Sequence, residues 1–133
     1  MRKQITSLIE KNVITVALND TVASVEKVLD SHHLSCVPVI SDQGECFGVI
    51  SAPDLVHFHN ARKNPSAERA WEMCTHKTIK VGPGISVKQA AELMVENNIH
   101  HLVVVEDGSI KGIVSPLDIL RSAVFSETDS QIQ

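Results

Sequence analysis

The sequence predicts an α+β fold made of two pseudo-symmetric β-α-β-β-α repeats, and three observations predict it. The stretch Gly48-Val49-Ile50-Ser51-Ala52-Pro53-Asp54 returns as Gly112-Ile113-Val114-Ser115-Pro116-Leu117-Asp118. Its surroundings return with it. Ile14 aligns with Ile79, Val16 with Val81, Thr21 with Ser86, Val22 with Val87 and Val39 with Val104, all at a shift of 65. Once Gln43 drops out, Gly44 meets Gly108, Ser51 meets Ser115 and Asp54 meets Asp118 at a shift of 64. Lastly, the apolar periodicity passes from strand to helix in the same order in both halves. Two copies are too few for a repeat array, so two halves packed on each other are expected.

Each element has a local reason. Val13 to Val16 is β-branched and reads as a short strand. Thr21 is a good N-cap for a helix with Val22, Val25, Val28 and Leu29 on one face, ending near Ser31-His32-His33. Cys36-Val37-Pro38-Val39-Ile40 and Cys46-Phe47-Gly48-Val49-Ile50 read as a hairpin turning at Asp42-Gln43-Gly44. Pro38 cannot donate to a ladder, so its amide side is expected to face an edge or a cleft. A helix from Pro53 toward Arg62 follows. In the second half Ser86 and Gln89 form a capping box, with Val87, Ala90, Ala91 and Met94 at helical spacing and a hairpin turn at Asp107-Gly108. Ala70-Trp71-Met73-Cys74 matches Ile5-Thr6-Leu8-Ile9, so each half is expected to begin with a short helical lead-in. The domain reading is therefore 1–64 and 65–125, each a repeat with its lead-in, and a frayed polar tail over 126–133.

Composition narrows the function classes. Aromatic residues are 3% of the chain, too few for base-stacking platforms, and a net charge of −4 gives no general pull toward nucleic acid or anionic membranes. No apolar run approaches membrane-spanning length, and Met1-Arg2-Lys3-Gln4-Ile5 lacks a signal-peptide core. Cys36, Cys46 and Cys74 form no CxxC pair and lie in or beside apolar segments, which suits small, reduced core residues. A cytoplasmic location is expected. The seven histidines form no tetrahedral ligand set at familiar spacing, so no metal is expected. With no Gly-rich phosphate loop and no nucleophile elbow, neither is enzyme activity or a catalytic cofactor.

With these motifs in place, the chain resembles a tandem pair of CBS domains, often called a Bateman module. The resemblance rests on features that occur twice each: the strand before a Thr- or Ser-capped helix, the Val-Pro-Val or Val-Val-Val strand, the Asp/Gly turn and the Gly-x-x-Ser-x-x-Asp stretch. It covers nearly everything from Ile5 to Phe125. It implies two repeats packed as a CBS-domain pair, two clefts that commonly bind adenosine-containing ligands, and homodimers. One cleft would combine Ser51 and Asp54 with Thr78, Ile79, Ile99, His100 and His101. The other would combine Ser115 and Asp118 with Val13, Ile14, Leu34, Ser35 and Cys36. The ligand would be AMP, ADP, ATP or S-adenosylmethionine, and a protein partner would respond to it.

The chemistry of those residue types agrees. An ionised carboxylate accepts two hydrogen bonds at a separation that matches the vicinal hydroxyls of ribose, and a helix start favours phosphate. The other reading of Ser-x-x-Asp is a pair of helix caps in a structural dimerisation module that holds no small molecule. His100 and His101 offer a pH-sensitive phosphate grip where adenylate-sensing relatives often have His-Arg, and they read equally as strand-edge histidines. On the binding reading, the cleft of Asp54 is expected to prefer a phosphorylated ligand. Arg121, one turn after Asp118, reads as a phosphate contact or as part of a solvated face. Trp71 reads as a core or interface anchor.

Overall fold

The structure, a computed structural model, describes residues 3–9 and 13–132, with side chains described as far as residue 124. Its elements are β1 (Val16–Ala17), α1 (Val22–His32), β2 (Cys36–Ile40), β3 (Cys46–Ser51), α2 (Ala52–Asn60), α3 (Ala70–Met73), β4 (Lys80–Val81), α4 (Val87–Asn97), β5 (Leu102–Glu106), β6 (Ser109–Val114) and α5 (Pro116–Ile132), preceded by a 3-10 turn at Ile5–Leu8. This is the α+β order expected, twice over. The strands form two three-stranded sheets, ordered β1-β2-β3 and β4-β5-β6. In the frayed-tail segment 126–133, the backbone of α5 runs to Ile132, and Gln133 lies outside the described residues.

The helix starts behave as their residues dictate. Thr21 Oγ1 accepts from the Ser24 amide at 3.1 Å, and Ser86 Oγ accepts from the Gln89 amide at 3.0 Å while Gln89 Oε1 accepts from the Ser86 amide at 2.9 Å. Both helices stop the same way, with a non-glycine residue in the left-handed region: His33 at φ 55° after α1 and Asn98 at φ 51° after α4. The Leu34 amide then donates to Leu29 O at 2.8 Å and the Ile99 amide to Met94 O at 3.0 Å. These reversals deliver Leu34-Ser35-Cys36 and Ile99-His100-His101 to equivalent positions at the mouths of β2 and β5.

By contacts the chain forms two compact units, Ile14–Thr78 with Asp107–Ile110, and Met1–Val13 with Ile79–Glu106 and Lys111–Gln133. In the first, Val16, Val25, Leu29, Val37, Val39, Ile50, Ala70 and Cys74 make the core. In the second the core is Ile5, Ala90, Met94, Leu102, Val104 and Val114. Each lead-in thus serves the repeat it does not belong to in sequence. Ile5 is fully buried, and its amide donates to Ile85 O at 3.0 Å, while Ala70, also fully buried, donates to Asp20 O at 2.8 Å.

The lead-ins close on the duplicated glycines. The Thr75 amide donates to Val49 O at 2.8 Å and the Val49 amide to Thr75 O at 3.0 Å, an antiparallel bridge that covers the outer edge of β3. A Cβ on Gly48 would stand 2.6 Å from Thr75 O, and one on Gly112 would stand 2.9 Å from Ile9 Cγ2. Pro38 lies in the central strand of its sheet, opposite Val49. Val49 spends both backbone groups on Thr75, so β3 asks no amide of Pro38. On the other side β1 is only two residues long and pairs with Val39 and Ile40.

Among the described residues, no helix is long and apolar enough to cross a membrane. The close approach at Gly48 makes a direct prediction. Gly48→Ala should lose about 1–3 kcal/mol by urea unfolding through overpacking against backbone, whereas Gly84→Ala, with nothing within 4 Å, should not. Equal stability of the two variants would contradict this packing.

Candidate functional site

The two Ser-x-x-Asp stretches sit where a strand ends and a helix begins, β3 into α2 and β6 into α5. Ser51 has extended backbone at the N-cap of α2 (φ −120°, ψ 170°), which turns its amide back toward the third helical residue, Asp54. Asp54 Oδ2 accepts from that amide at 2.9 Å and from Ser51 Oγ at 3.0 Å. The second copy repeats this closely. Asp118 Oδ2 accepts from the Ser115 amide at 2.8 Å and from Ser115 Oγ at 3.0 Å. The capping role of each carboxylate therefore uses one oxygen and leaves the other to face outward.

The outward oxygens differ. Asp54 Oδ1 accepts from Thr75 Oγ1 at 2.7 Å, a short hydrogen bond to a charged acceptor. Asp118 Oδ1 has the Arg121 guanidinium 3.9 Å away, with the Arg121 side chain 63% exposed. A pair that loose and that wet is worth little, a few tenths of a kcal/mol up to ~1. Both aspartates are half-buried, so each can meet a ligand without the full cost of an interior charge.

In the unit of Ile14–Thr78, residues assigned to two different clefts lie side by side. Cys36 lies opposite Ser51 in the β2–β3 ladder, and Ser35 O accepts the Ala52 amide at 3.1 Å, so the mouth of β2 is tied to the start of α2. Leu34 and Ile14 pack partly buried against that unit's core, and Thr78 is half-buried at its end. In the other unit Ile79 and Ile99 pack partly buried against the core, His100 is exposed, and His101, Ser115 and Val13 are half-buried. The residues assigned to the Asp54 cleft thus fall in both units, Ser51, Asp54 and Thr78 in one and Ile79, Ile99, His100 and His101 in the other. Arg121 lies on an exposed face of α5.

The three cysteines are buried and in no disulfide. Burial pushes the Cys36 thiol up to about 12, and the nearby Asp54 carboxylate and Cys46 push the same way. Burial likewise lifts Cys74 to about 11. Both stay protonated at neutral pH and offer no thiolate nucleophile. Among the described residues, no group of three or more His, Cys, Asp or Glu side chains is placed to hold a metal ion. Trp71 is 45% exposed rather than in a core.

Two contacts lay beyond sequence reasoning. Thr75 follows the lead-in by one residue and carries no motif; only its bridge to Val49 brings its hydroxyl to Asp54. His59 Nε2 meets Glu26 Oε1 at 2.8 Å across 33 residues of chain, in the open.

The sequence profile described as the CBS domain matches residues 5–60 and again 70–124. The chain belongs to the CBS-domain family and carries its module as a tandem pair, a regulatory module. Among relatives, it is 30% identical to the uncharacterized protein MK0525 of Methanopyrus kandleri over 84% of this chain and 58% of that protein. It is 26% identical to the inosine-5'-monophosphate dehydrogenase of Methanocaldococcus jannaschii, over 94% of this chain but only 24% of the enzyme. The chain therefore spans little more than half of the first relative and about a quarter of the second. Among solved structures, CBSX2 in complex with AMP superposes with a TM-score of 0.81 at 21% identity, covering 94% of this chain and 98% of that one, a likeness of fold.

Proposed function

We propose that this CBS pair binds an adenosine-containing ligand, AMP, ADP, ATP or S-adenosylmethionine, and reports its presence to a protein partner. The observation that carries the proposal is the pair of half-buried carboxylates, Asp54 and Asp118, each fixed by its own serine at a helix start with one oxygen turned outward. A carboxylate held in this way is pre-organised for a ribose diol, and the adjoining helix start favours a phosphate. The AMP carried by CBSX2 supports the choice of ligand class. Ser51, Asp54, Ser115 and Asp118 take the ribose side. Thr78, Ile79 and Ile99, together with Val13, Ile14, Leu34, Ser35 and Cys36, line the base, and His100, His101 and Arg121 serve phosphates. A ligand so bound shifts a partner only by its differential affinity for two arrangements of the protein.

A second reading has its own observation. Ser51 and Ser115 both donate to their aspartates, so each box is complete as a helix cap without a ligand. Thermal unfolding separates the two. With AMP, ADP, ATP or S-adenosylmethionine at a hundred times its Kd, the binding reading expects about 2.7 kcal/mol of added stability. At least one of Asp54→Asn and Asp118→Asn should abolish that gain. No shift with any of the four would leave the caps as the sole role of both boxes.

We also propose a homodimer. Leu117, Leu120 and Val124 are 56%, 58% and 52% exposed on α5, at spacings that place them on one face. Light scattering at tens of micromolar should give about twice the monomer mass, and Leu120→Asp should give the monomer mass. A monomeric native protein would contradict this.

A further inference from the structure

The two carboxylates are equivalent in sequence and unequal in occupation. Asp54 Oδ1, the oxygen its cap leaves over, receives the Thr75 hydroxyl at 2.7 Å. Thr75 is exposed, but its backbone is fixed, because its amide and carbonyl are both bonded to Val49 at 2.8 and 3.0 Å. The absence of a side chain at Gly48 lets this segment sit so close, with Thr75 O only 2.6 Å from where a Cβ would stand. A diol arriving at Asp54 must replace a hydrogen bond whose donor is already in place and has lost its entropy in folding.

Among the described residues, no such hydroxyl reaches the outward oxygen of Asp118. Among the described residues its outward oxygen has only Arg121, at 3.9 Å and mostly in water. The residue one on from Ile9, the counterpart of Cys74, is Glu10. An ionised carboxylate has no proton to donate to another, so the second copy's sequence lacks what Thr75 supplies to the first. The asymmetry is thus written in residue type as well as in geometry.

We propose that Thr75 closes the Asp54 carboxylate to a vicinal diol, so that Asp118 is the ribose-binding carboxylate that fills first and Thr75 sets how many ligands the chain takes. This rests on the nucleotide-binding reading above and deepens it. It orders the sites by ribose grip, opposite to the preference for phosphorylated ligands expected at Asp54 from His100 and His101.

Isothermal titration with AMP tests it on the full chain. Wild type should bind one equivalent tightly. Asp118→Asn should weaken that equivalent by about tenfold or more, the loss of one charge-assisted bond, while Asp54→Asn should leave it. Thr75→Val, which keeps both backbone bonds to Val49, should add a second equivalent within about tenfold of the first. Thr75→Ser, which restores the hydroxyl, should return the count to one, and Thr75→Ala is the second test if the valine disturbs packing. Tight binding that survives Asp118→Asn and is lost in Asp54→Asn would overturn the inference. So would two equal sites in wild type, or a count that stays at one in both Thr75→Val and Thr75→Ala. In those outcomes AMP still binds and the functional reading stands. An absence of heat in every chain would remove that reading and this inference with it.

Discussion

The reciprocal hydrogen bonds between Thr75 and Val49 hold together more of this structure than their number suggests. They pair the outer edge of β3 at Val49, whose backbone groups would otherwise be left without a partner there. They satisfy Val49 from outside, which frees Pro38 to stand opposite it in the central strand with no amide to give. They require Gly48, because the Thr75 carbonyl occupies the space of a Cβ. And they aim the Thr75 hydroxyl at Asp54. A single segment of backbone thereby connects strand pairing, core packing and the chemistry of the candidate site.

The duplicated architecture gives two sites similar scaffolds and different contents. Both boxes close on themselves through the same pair of serine bonds, and both helices ahead of them end in a left-handed residue that turns the chain into the next strand. What varies is what each scaffold presents: Ser35 and Cys36 at the mouth of β2, His100 and His101 ahead of β5, Thr75 against Asp54, and Arg121 loosely beside Asp118. Pseudo-symmetry of this kind gives both candidate sites the same capped carboxylate, since the shared caps maintain stability while the outward oxygens are free to diverge.

Much of this was legible in the sequence because it is local. Thr21 and Ser86 mark helix starts by their own side chains, the Asp-x-Gly and Asp-Gly turns mark hairpins, and Ser-x-x-Asp encodes its hydrogen bonds within four residues. The contacts that were not legible are distant ones. Nothing near Ile5 says that it will fill a core with Leu102 and Val114, because the repeat register shows only that it matches Ala70, not where either segment docks. Pro38 was read only as a residue whose amide side needs no ladder partner, and the outside partner that Val49 finds in Thr75 was not visible beside it. Thr75 carries no motif, and its hydroxyl acquires meaning only through a partner 21 residues earlier.

The central claim is that a carboxylate held at a helix start in this CBS pair recognises a vicinal diol. Competition calorimetry with AMP, 2′-deoxy-AMP and 3′-deoxy-AMP tests it most directly, since the three differ only in the hydroxyls a carboxylate would accept from. The account predicts that removing either hydroxyl weakens binding by about tenfold or more, the scale of one charge-assisted hydrogen bond. Equal affinity for all three would contradict it and would return Asp54 and Asp118 to the role of helix caps.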